Sequence, residues 1–279
     1  MAKKVDPIKQ AFTTLKLPAP DSHKGQNGKL LIIGGSKLFH AASKWSLDVA
    51  SKIVDMVFYS SVPSNNRLVA KFLNNQFDGT LEEQAKNNFW QGIVVSRKKL
   101  KPYLEEADCI LIGPGMERSH YTARLSNRLL KQYPDKKWVI DAGALQMIKP
   151  TLLNANCIIT PHQQEMALLN DKNPNFNPDN YTAQATCLLK GQSDLIFSHG
   201  QKIEIKGGNA GMTKGGTGDV LAGLVAALYC QNDAQTSAIA ASQVNKLAGD
   251  KLYKTVGPYF NASDLVAMIP EILWQQRKQ

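Results

Sequence analysis

The chain lacks the patterns that mark zinc-binding, secreted and membrane proteins. Its four cysteines lie far apart, and no CxxC pair or cysteine–histidine cluster is present, so a structural zinc site is not expected. No apolar stretch follows the charged start MAKKVDPIKQ, so no signal peptide is expected. The longest apolar run, near residues 220–230, is too short to span a bilayer. We therefore expect a soluble, cytoplasmic protein with reduced thiols and no membrane partner.

Acidic residues are outnumbered by basic ones, and the formal net charge is +10. Such a charge is compatible with nucleic acid or with small phosphate-bearing ligands. The lysines and arginines are spread along the chain, and no nucleic-acid recognition motif accompanies them. We therefore expect small anionic ligands and no nucleic-acid partner.

Short apolar segments alternate with helical ones, which predicts an α/β fold with a mainly parallel sheet between helices. Residues 1–22 are expected to form a leader segment with one helix, and residues 23–279 a single domain. The predicted strands are residues 29–33, 56–61, 92–96, 109–112, 138–141, 157–160, 194–198 and 202–205. The predicted helices include residues 41–54, 121–133, 163–170, 180–189, 219–231, 234–253 and 262–275.

The strongest local pattern is the segment GMTKGGTGD at residues 211–219, which precedes an apolar helical run. Glycines before a helix N-terminus let consecutive N–H groups converge on an anion, and the helix dipole adds to the attraction. Thr217 is expected to add a hydroxyl donor. Asp219 is either a helix cap or a general base. The segment is not a Walker P-loop, because it ends in Gly-Asp and not in Gly-Lys-Ser/Thr.

At these residues the chain resembles the ribokinase-like superfamily and, within it, the NAD(P)H-hydrate dehydratases. Motifs similar to the family's occur in order: HKG at 23–25, GGS at 34–36, GPG at 113–115, DAGAL at 141–145, TPHQQE at 160–165, LKG at 189–191, GNAGMTKGGTGDVLAG at 208–223 and NASDL at 261–265. The resemblance implies a three-layer α/β/α sandwich and the repair of hydrated NADH or NADPH. In this family ADP or ATP phosphorylates the ring hydroxyl, and phosphate then leaves.

The resemblance also implies roles for single residues. Asp219 is expected to take the hydroxyl proton, and the groups that stabilise the transferring phosphoryl are Gly216, Thr217 and Gly218. Mg²⁺ would bridge the nucleotide phosphates, with Glu165 holding it through water. The hydrated-cofactor site is expected at Ala42, Gly113, Gly115, His162, Asn209 and Asp219. The nucleotide site is expected at Lys190, Gly191 and Gly218. Because family members often form tetramers, a homo-oligomer is expected.

When the family resemblance is set aside, the residues alone leave other interpretations open. His162 would donate to a strand-end carbonyl, and Asp141 would cap the following helix. Lys190 and Glu165 would face solvent. Residues 39–43 read FHAAS where the family usually has YTGAP, so one wall of the substrate site is altered. Two other functions therefore remain: a ribokinase-like kinase for a vitamin precursor or sugar alcohol, and a nucleotide-binding regulator without turnover.

Overall fold

The computed structural model describes residues 6–70 and 92–278, and these residues contain one nine-stranded sheet. Its spatial order is β3-β2-β1-β4-β5-β6-β7-β8-β9. The strands are β1 (Lys29–Ile33), β2 (Met56–Ser60), β3 (Ile93–Val94), β4 (Cys109–Ile112), β5 (Lys137–Ile140), β6 (Cys157–Ile159), β7 (Thr186–Leu189), β8 (Asp194–Ser198) and β9 (Gln201–Ile205).

The sheet is parallel from β3 to β7, and β8 and β9 are added antiparallel at one edge. The chain runs outward from β1 to β2 and β3, then returns to place β4 on the other side of β1. The strand order reverses between the neighbouring strands β1 and β4. This is a topological switch point, where the carboxyl ends of parallel strands leave a crevice for a ligand.

Helices cover both faces of the sheet. They are α1 (Pro7–Thr14), α2 (His40–Ala50), α3 (Pro63–Ala70), α4 (Lys101–Glu106), α5 (His120–Gln132), α6 (Ala142–Met147), α7 (Gln163–Lys172), α8 (Thr217–Tyr229), α9 (Ala234–Val256) and α10 (Ala262–Arg277). Successive side chains of a strand point to opposite faces, so β1 contributes Leu30 and Ile32 to one core and Leu31 and Ile33 to the other. The expected three-layer sandwich is confirmed.

Helix α8 is buried almost all round. It packs between the sheet strands β4 and β5 on one side and α2 and α9 on the other. A helix that is apolar on all sides, and so has no polar face, is typical of a position inside the fold. The loop that precedes α8 is thereby held against rigid neighbours.

One predicted element is wrong. Residues 180–189 were expected to form a helix, but Thr186–Leu189 is the buried strand β7 between β6 and β8. A short, continuously apolar run fits a buried strand as well as a helix segment, and periodicity alone does not separate them. Helices α3, α4 and α6 were not among those named from the sequence.

The leader helix α1 packs on the same core as the rest of the chain. Ala11, Phe12 and Leu15 are buried against α9 and α10. Residues 1–5 of the expected leader, and residues 71–91 and 279 of the expected domain, lie outside the described residues. Across residues 6–70 and 92–278, every helix is too short or too polar to cross a membrane.

Candidate active site

The strand-end residues singled out from the sequence meet at one edge of the sheet. Asp141 follows β5, His162 comes soon after β6, and Lys190 follows β7. These three strands are parallel neighbours, so their carboxyl ends lie side by side. A β-bridge joins His162 to Lys190. A carboxylate, an imidazole and an ammonium group are thus gathered in one place.

Asp141 and Lys190 form a largely buried ion pair. Lys190 Nζ lies 2.8 Å from Asp141 Oδ1, which also accepts a 2.8 Å hydrogen bond from Thr160 Oγ1. Burial alone would lower the pKa of Lys190, but the adjacent Asp141 carboxylate raises it above its ordinary value. The expectation that Lys190 faces solvent is wrong. Asp141 does occupy the N-cap position of α6, but its side chain makes no cap hydrogen bond and bonds to Lys190 and Thr160 instead.

The loop before α8 has the geometry of an anion-binding site. Gly216 is the N-cap residue and has a left-handed backbone, with φ at 97°. The backbone N–H groups of Gly216, Gly218 and Asp219 form no hydrogen bond with any described residue. A Cβ built on Gly218 would lie 3.7 Å from Lys190 Nζ. Unpaired N–H groups at a helix N-terminus, with a cation beside them, are suited to bind phosphate.

Thr217 differs from its expected role. Its hydroxyl donates to the carbonyl oxygens of Met212 at 2.7 Å and Lys214 at 3.1 Å. The side chain is 8% exposed. The Thr217 hydroxyl therefore closes the loop on itself, and it is not the free donor that the sequence suggested.

The Gly216 position gives a direct test of the loop geometry. A Cβ on Gly216 would lie 2.2 Å from the Trp45 ring, and its φ disfavours any other residue. Gly216→Ala is expected to lower the free energy of unfolding by about 2–4 kcal/mol and to weaken phosphate binding at the loop. Gly215→Ala is the matched control, because nothing lies within 4 Å of a Cβ there. Urea unfolding and phosphate titration of both variants check this, and equal stability and phosphate affinity of the two variants would contradict it.

Asp219 is the third residue of α8 and not its cap, so the helix-cap interpretation is wrong. The Ser46 hydroxyl donates to the backbone oxygen of Asp219 at 2.8 Å and fixes this turn against α2. Burial, and then the nearby Asp141 carboxylate, raise the pKa of Asp219 to about 7, although Lys190 lowers it. A carboxylate with a pKa near neutrality is suited to accept a proton.

His162 and Glu165 form a reciprocal cap at the start of α7. Glu165 N–H donates to His162 Nδ1 at 3.3 Å, and His162 N–H donates to Glu165 Oε2 at 3.0 Å. Because Nδ1 accepts, a neutral His162 carries its proton on Nε2, and its half-exposed ring can offer that proton to a ligand. The bond to a strand-end carbonyl expected from the sequence is not the one His162 makes.

Glu165 is 4% exposed, so the expectation that it faces solvent is wrong. Its other carboxylate oxygen, Oε1, accepts a 2.8 Å hydrogen bond from Gln146 Nε2. Within the described parts of the chain, no group of three or more His, Cys, Asp or Glu side chains is arranged to hold a metal ion.

The three residues expected at the nucleotide site line a single cleft. Lys190, Gly191 and Gly218 border a cavity of about 460 Å³, together with Asn209 and Lys246. Ligand cavities of a few hundred Å³ suit small molecules of nucleotide size. The cleft lies beside the loop and runs from α8 to α9.

Lys246 was not identified from the sequence, yet it lines this cleft and bonds to several backbone carbonyls around it. Its ammonium donates to the carbonyl oxygens of Gly191 (3.3 Å), Gln192 (2.9 Å) and Gly207 (3.2 Å) and lies 3.3 Å from Asp194 Oδ1. Both charged side chains are almost fully buried. The only sequence signal is a lysine within a mostly small and apolar helix, which does not reveal its distant partner.

Asn209 holds the loop through both ends of its amide. Its Oδ1 accepts from Gly211 N–H at 3.0 Å, and its Nδ2 donates to Asp250 Oδ1 at 3.1 Å. Asp250 also accepts from Gly208 N–H at 3.1 Å. The Asn209 side chain is thus committed to the loop, and it positions the backbone rather than facing a ligand.

Of the residues expected to line the hydrated-cofactor site, Ala42, Gly113 and Gly115 lie at the switch point, whereas His162 follows β6, Asp219 lies in α8, and Asn209 borders the cleft beside α8. Gly115 has φ at 70°, and a Cβ there would lie 3.0 Å from Ala42 Cβ and 2.4 Å from the Phe39 carbonyl oxygen. Gly113 has φ at 124°, and a Cβ there would lie 1.8 Å from the Asp141 carbonyl oxygen. Both glycines are required by close backbone approach.

Helix α2 connects this region to the loop before α8. Ala42 lies in its first turn, while Trp45 packs on Gly216 and Ser46 bonds to Asp219 one turn later. The altered segment 39–43 therefore lies within one helical turn of the contact with Asp219. Helix α2 therefore joins the expected substrate residue Ala42 to the expected catalytic residues Gly216 and Asp219.

Comparison with known proteins agrees with this arrangement. Residues 30–271 match the family model described as NAD(P)H-hydrate dehydratase. A bifunctional NAD(P)H-hydrate repair enzyme of Methanocaldococcus jannaschii is 38% identical over 258 residues, which cover 91% of this chain and 49% of that protein. This chain therefore spans about half the length of that relative.

A second relative is similar over nearly its whole length. The ADP-dependent (S)-NAD(P)H-hydrate dehydratase of Nitrosopumilus maritimus is 32% identical over 266 residues, 90% of each chain. The ribokinase-like fold is shown by solved structures. Among them, the ADP/ATP-dependent NAD(P)H-hydrate dehydratase of Bacillus subtilis, co-crystallised with ATP and Mg²⁺, has a TM-score of 0.73 at 19% identity and covers 97% of both chains. The chain belongs to the NAD(P)H-hydrate dehydratase family.

Proposed function

We propose that the protein repairs hydrated NADH or NADPH by nucleotide-dependent dehydration, with ADP as the phosphoryl donor. The observation that carries this proposal is the juxtaposition of the Asp219 carboxylate, the unpaired N–H groups of Gly216 and Gly218, and the Lys190 ammonium. A base and an anion-binding loop at one helix N-terminus suit phosphoryl transfer to a hydroxyl group. The name of the Nitrosopumilus maritimus relative supports ADP over ATP.

In this proposal Asp219 accepts the proton of the ring hydroxyl. The hydroxyl oxygen then bonds to the terminal phosphorus of ADP, and the bond from that phosphorus to AMP breaks. The carbon–oxygen bond of the phosphorylated ring breaks next, the neighbouring carbon loses a proton, and the double bond returns. Phosphorylation is needed because phosphate is a much better leaving group than hydroxide.

The remaining residues of the site would stabilise charge on the transferring phosphoryl group and orient the hydrated cofactor. The amides of Gly216 and Gly218 and the ammonium of Lys190 would offset negative charge on the transferring phosphoryl group. Asp141 would keep Lys190 charged and aimed at the loop through their 2.8 Å contact. His162 would offer its Nε2 proton to the hydrated cofactor, whose ring would lie against Ala42 and the glycines at the switch point.

A divalent cation would be held chiefly by the nucleotide phosphates. The carboxylates of Asp141 and Glu165 lie close enough to Asp219 to raise its pKa, and water-mediated carboxylate contacts suit Mg²⁺. The ion would supply charge neutralisation to the phosphates. Glu165 would contribute through water, because its two oxygens already accept hydrogen bonds from His162 and Gln146.

The rest of a dinucleotide substrate has room at the switch point. A cavity of about 430 Å³ lies there, bordered by the basic side chains Lys37, Arg97 and Lys98. Arg97 Nη2 donates to the carbonyl oxygens of Gly34 at 2.7 Å and Gly35 at 3.0 Å, which fixes the guanidinium in place. Fixed basic groups suit the diphosphate of a dinucleotide.

The raised pKa of Asp219 predicts how the reaction depends on pH. Because only the ionised carboxylate accepts a proton, kcat/KM for the hydrated cofactor is expected to rise with pH, bend near pH 7 and stay level above it. Below the bend it should fall about tenfold per pH unit. Rates from pH 5.5 to 9 check this, with ADP affinity measured at each pH as the control. A level profile from pH 5.5 to 7 would contradict the role of Asp219.

Product analysis distinguishes this function from that of a kinase. The protein is incubated with hydrated NADH, ADP and Mg²⁺, and inorganic phosphate, AMP and reduced NADH are quantified. Equal amounts of all three support the dehydratase. A stable phosphorylated product without inorganic phosphate would indicate a small-molecule kinase instead. Nucleotide binding without any product would indicate a regulator.

The same proposal includes the cellular location and the oligomeric state of the enzyme. Its substrates are intracellular coenzymes, so we place it in the cytoplasm. The family resemblance supports a homo-oligomer, expected to be a tetramer. Light scattering of the purified protein tests the tetramer.

A further inference from the structure

A buried amide without a hydrogen-bond partner lines the nucleotide cleft. Asn245 lies in α9 and is 4% exposed. Its Oδ1 is buried and accepts no hydrogen bond, and no described residue bonds to the rest of its amide either. Buried polar groups are almost always paired, because an unpaired one costs free energy. The Asn245 amide therefore suits a partner that the cleft receives from outside.

The cleft has a phosphate end and an end suited to an aromatic ring. Gly218 and Lys190 lie at the loop, where the nucleotide phosphates would bind. Leu221 and Met212 supply apolar surface to the same cleft as Asn245. The Met212 side chain packs on α9 at Gly249, where a Cβ would lie 2.4 Å from its sulfur. Apolar walls with one unpaired amide are a typical lining for a planar, polar-edged ligand.

The amide is held in a fixed part of the wall. The next residue, Lys246, is anchored by three carbonyl oxygens and by Asp194. The helix turn that carries Asn245 is therefore fixed relative to the Gly191 loop. A side chain on such a support can select between ligands by hydrogen-bond pattern.

We propose that the Asn245 amide recognises the nucleobase and selects adenine, an inference that rests on the proposed nucleotide-dependent function. An asparagine amide pairs with adenine by donating to N7 and accepting from the N6 amino group. The two ends of the amide exchange by rotation, so both orientations are open to it. Hypoxanthine and guanine carry an oxygen in place of the amino group. The amide oxygen would then face another oxygen and lose one of the two bonds.

The test compares ADP with inosine diphosphate, which differs from ADP at the edge that Asn245 would contact. Dissociation constants are measured with Mg²⁺ for the wild type and for Asn245→Leu. The wild type is expected to bind ADP roughly 10- to 100-fold more tightly than inosine diphosphate. Asn245→Leu is expected to bind the two within about threefold of each other, because the amide that separates them is gone.

Gln243→Leu is the matched control. It makes the same type of change on the same helix, and Gln243 is part-exposed and does not line the cleft. It should keep the wild-type preference. Asn245→Ala is the second variant if the leucine variant does not fold, and thermal unfolding of each protein establishes folding.

Two results would overturn the inference: a wild type that binds both nucleotides equally, or an Asn245 variant that folds and keeps the wild-type preference. The binding assay contains no hydrated cofactor, so it separates this inference from the proposed reaction. Adenine preference that depends on Asn245, with no dehydration of hydrated NADH, would contradict the reaction and leave the nucleobase role intact.

Discussion

Asp219→Asn is expected to reduce dehydration of hydrated NADH by roughly 10²- to 10⁴-fold, the range that general base catalysis contributes. Asparagine matches the size of aspartate but does not accept the hydroxyl proton. The amides of Gly216 and Gly218 and the Lys190 ammonium remain in place, so ADP should bind with nearly unchanged affinity. Steady-state rates at pH 8 and ADP titration together measure both effects.

The free energy of unfolding serves as the control for the Asp219→Asn variant. The folded-state pKa of Asp219, about 7, lies above the ordinary value of 3.8 for an aspartate side chain. The folded state therefore holds more protons between these values, and its stability falls as the pH rises through that window. Asp219→Asn has no carboxylate to ionise, so its stability does not fall in this way. At pH 8 its free energy of unfolding should therefore exceed that of the wild type by about 2 kcal/mol. A stable variant with wild-type turnover would exclude Asp219 as the base.

Lys246→Met is expected to lower the free energy of unfolding by about 3–5 kcal/mol, because it leaves the buried Asp194 carboxylate without its cation. The three carbonyl oxygens bound by the Lys246 ammonium also lose their donor. Since two of these carbonyls, those of Gly191 and Gln192, belong to residues that line the nucleotide cleft, ADP affinity should fall as well. Urea unfolding followed by ADP titration at low temperature measures both.

Lys251→Met is the matched control for that change. Lys251 lies in the same helix and pairs with Glu271, but this pair is exposed at the surface. Exposed ion pairs contribute at most about 1 kcal/mol. The control should therefore unfold close to the wild type and bind ADP normally. A Lys246 variant no less stable than the Lys251 variant would show that the buried network does not hold the cleft.

Residues that act through local backbone geometry could be predicted from the sequence. The glycine pattern at residues 215–218 predicted an anion-binding loop, and the structure has a left-handed Gly216 with unpaired N–H groups after it. Most strands were predicted for a similar reason, since a run such as 109–112 is apolar at every position. The segment at 186–189 is apolar apart from Thr186, but a helix was predicted there because nothing local separates the two forms.

Residues whose role depends on a distant partner were harder to predict. Lys190 and Asp141 are 49 positions apart in sequence, and only the parallel pairing of β5, β6 and β7 brings them together. Lys246 and Asp194 meet because α9 crosses β8. The Thr217 hydroxyl was assigned to a ligand because its bonds to two loop carbonyls depend on how the loop folds back.

The most direct measurement is the absorbance of the reduced nicotinamide band after purified protein is mixed with hydrated NADH, Mg²⁺ and ADP or ATP. We predict that the band returns with ADP, that it needs the nucleotide, and that the Asp219→Asn variant does not restore it at a comparable rate. Folded wild-type protein that binds ADP but restores no absorbance with either nucleotide would contradict the proposed dehydratase.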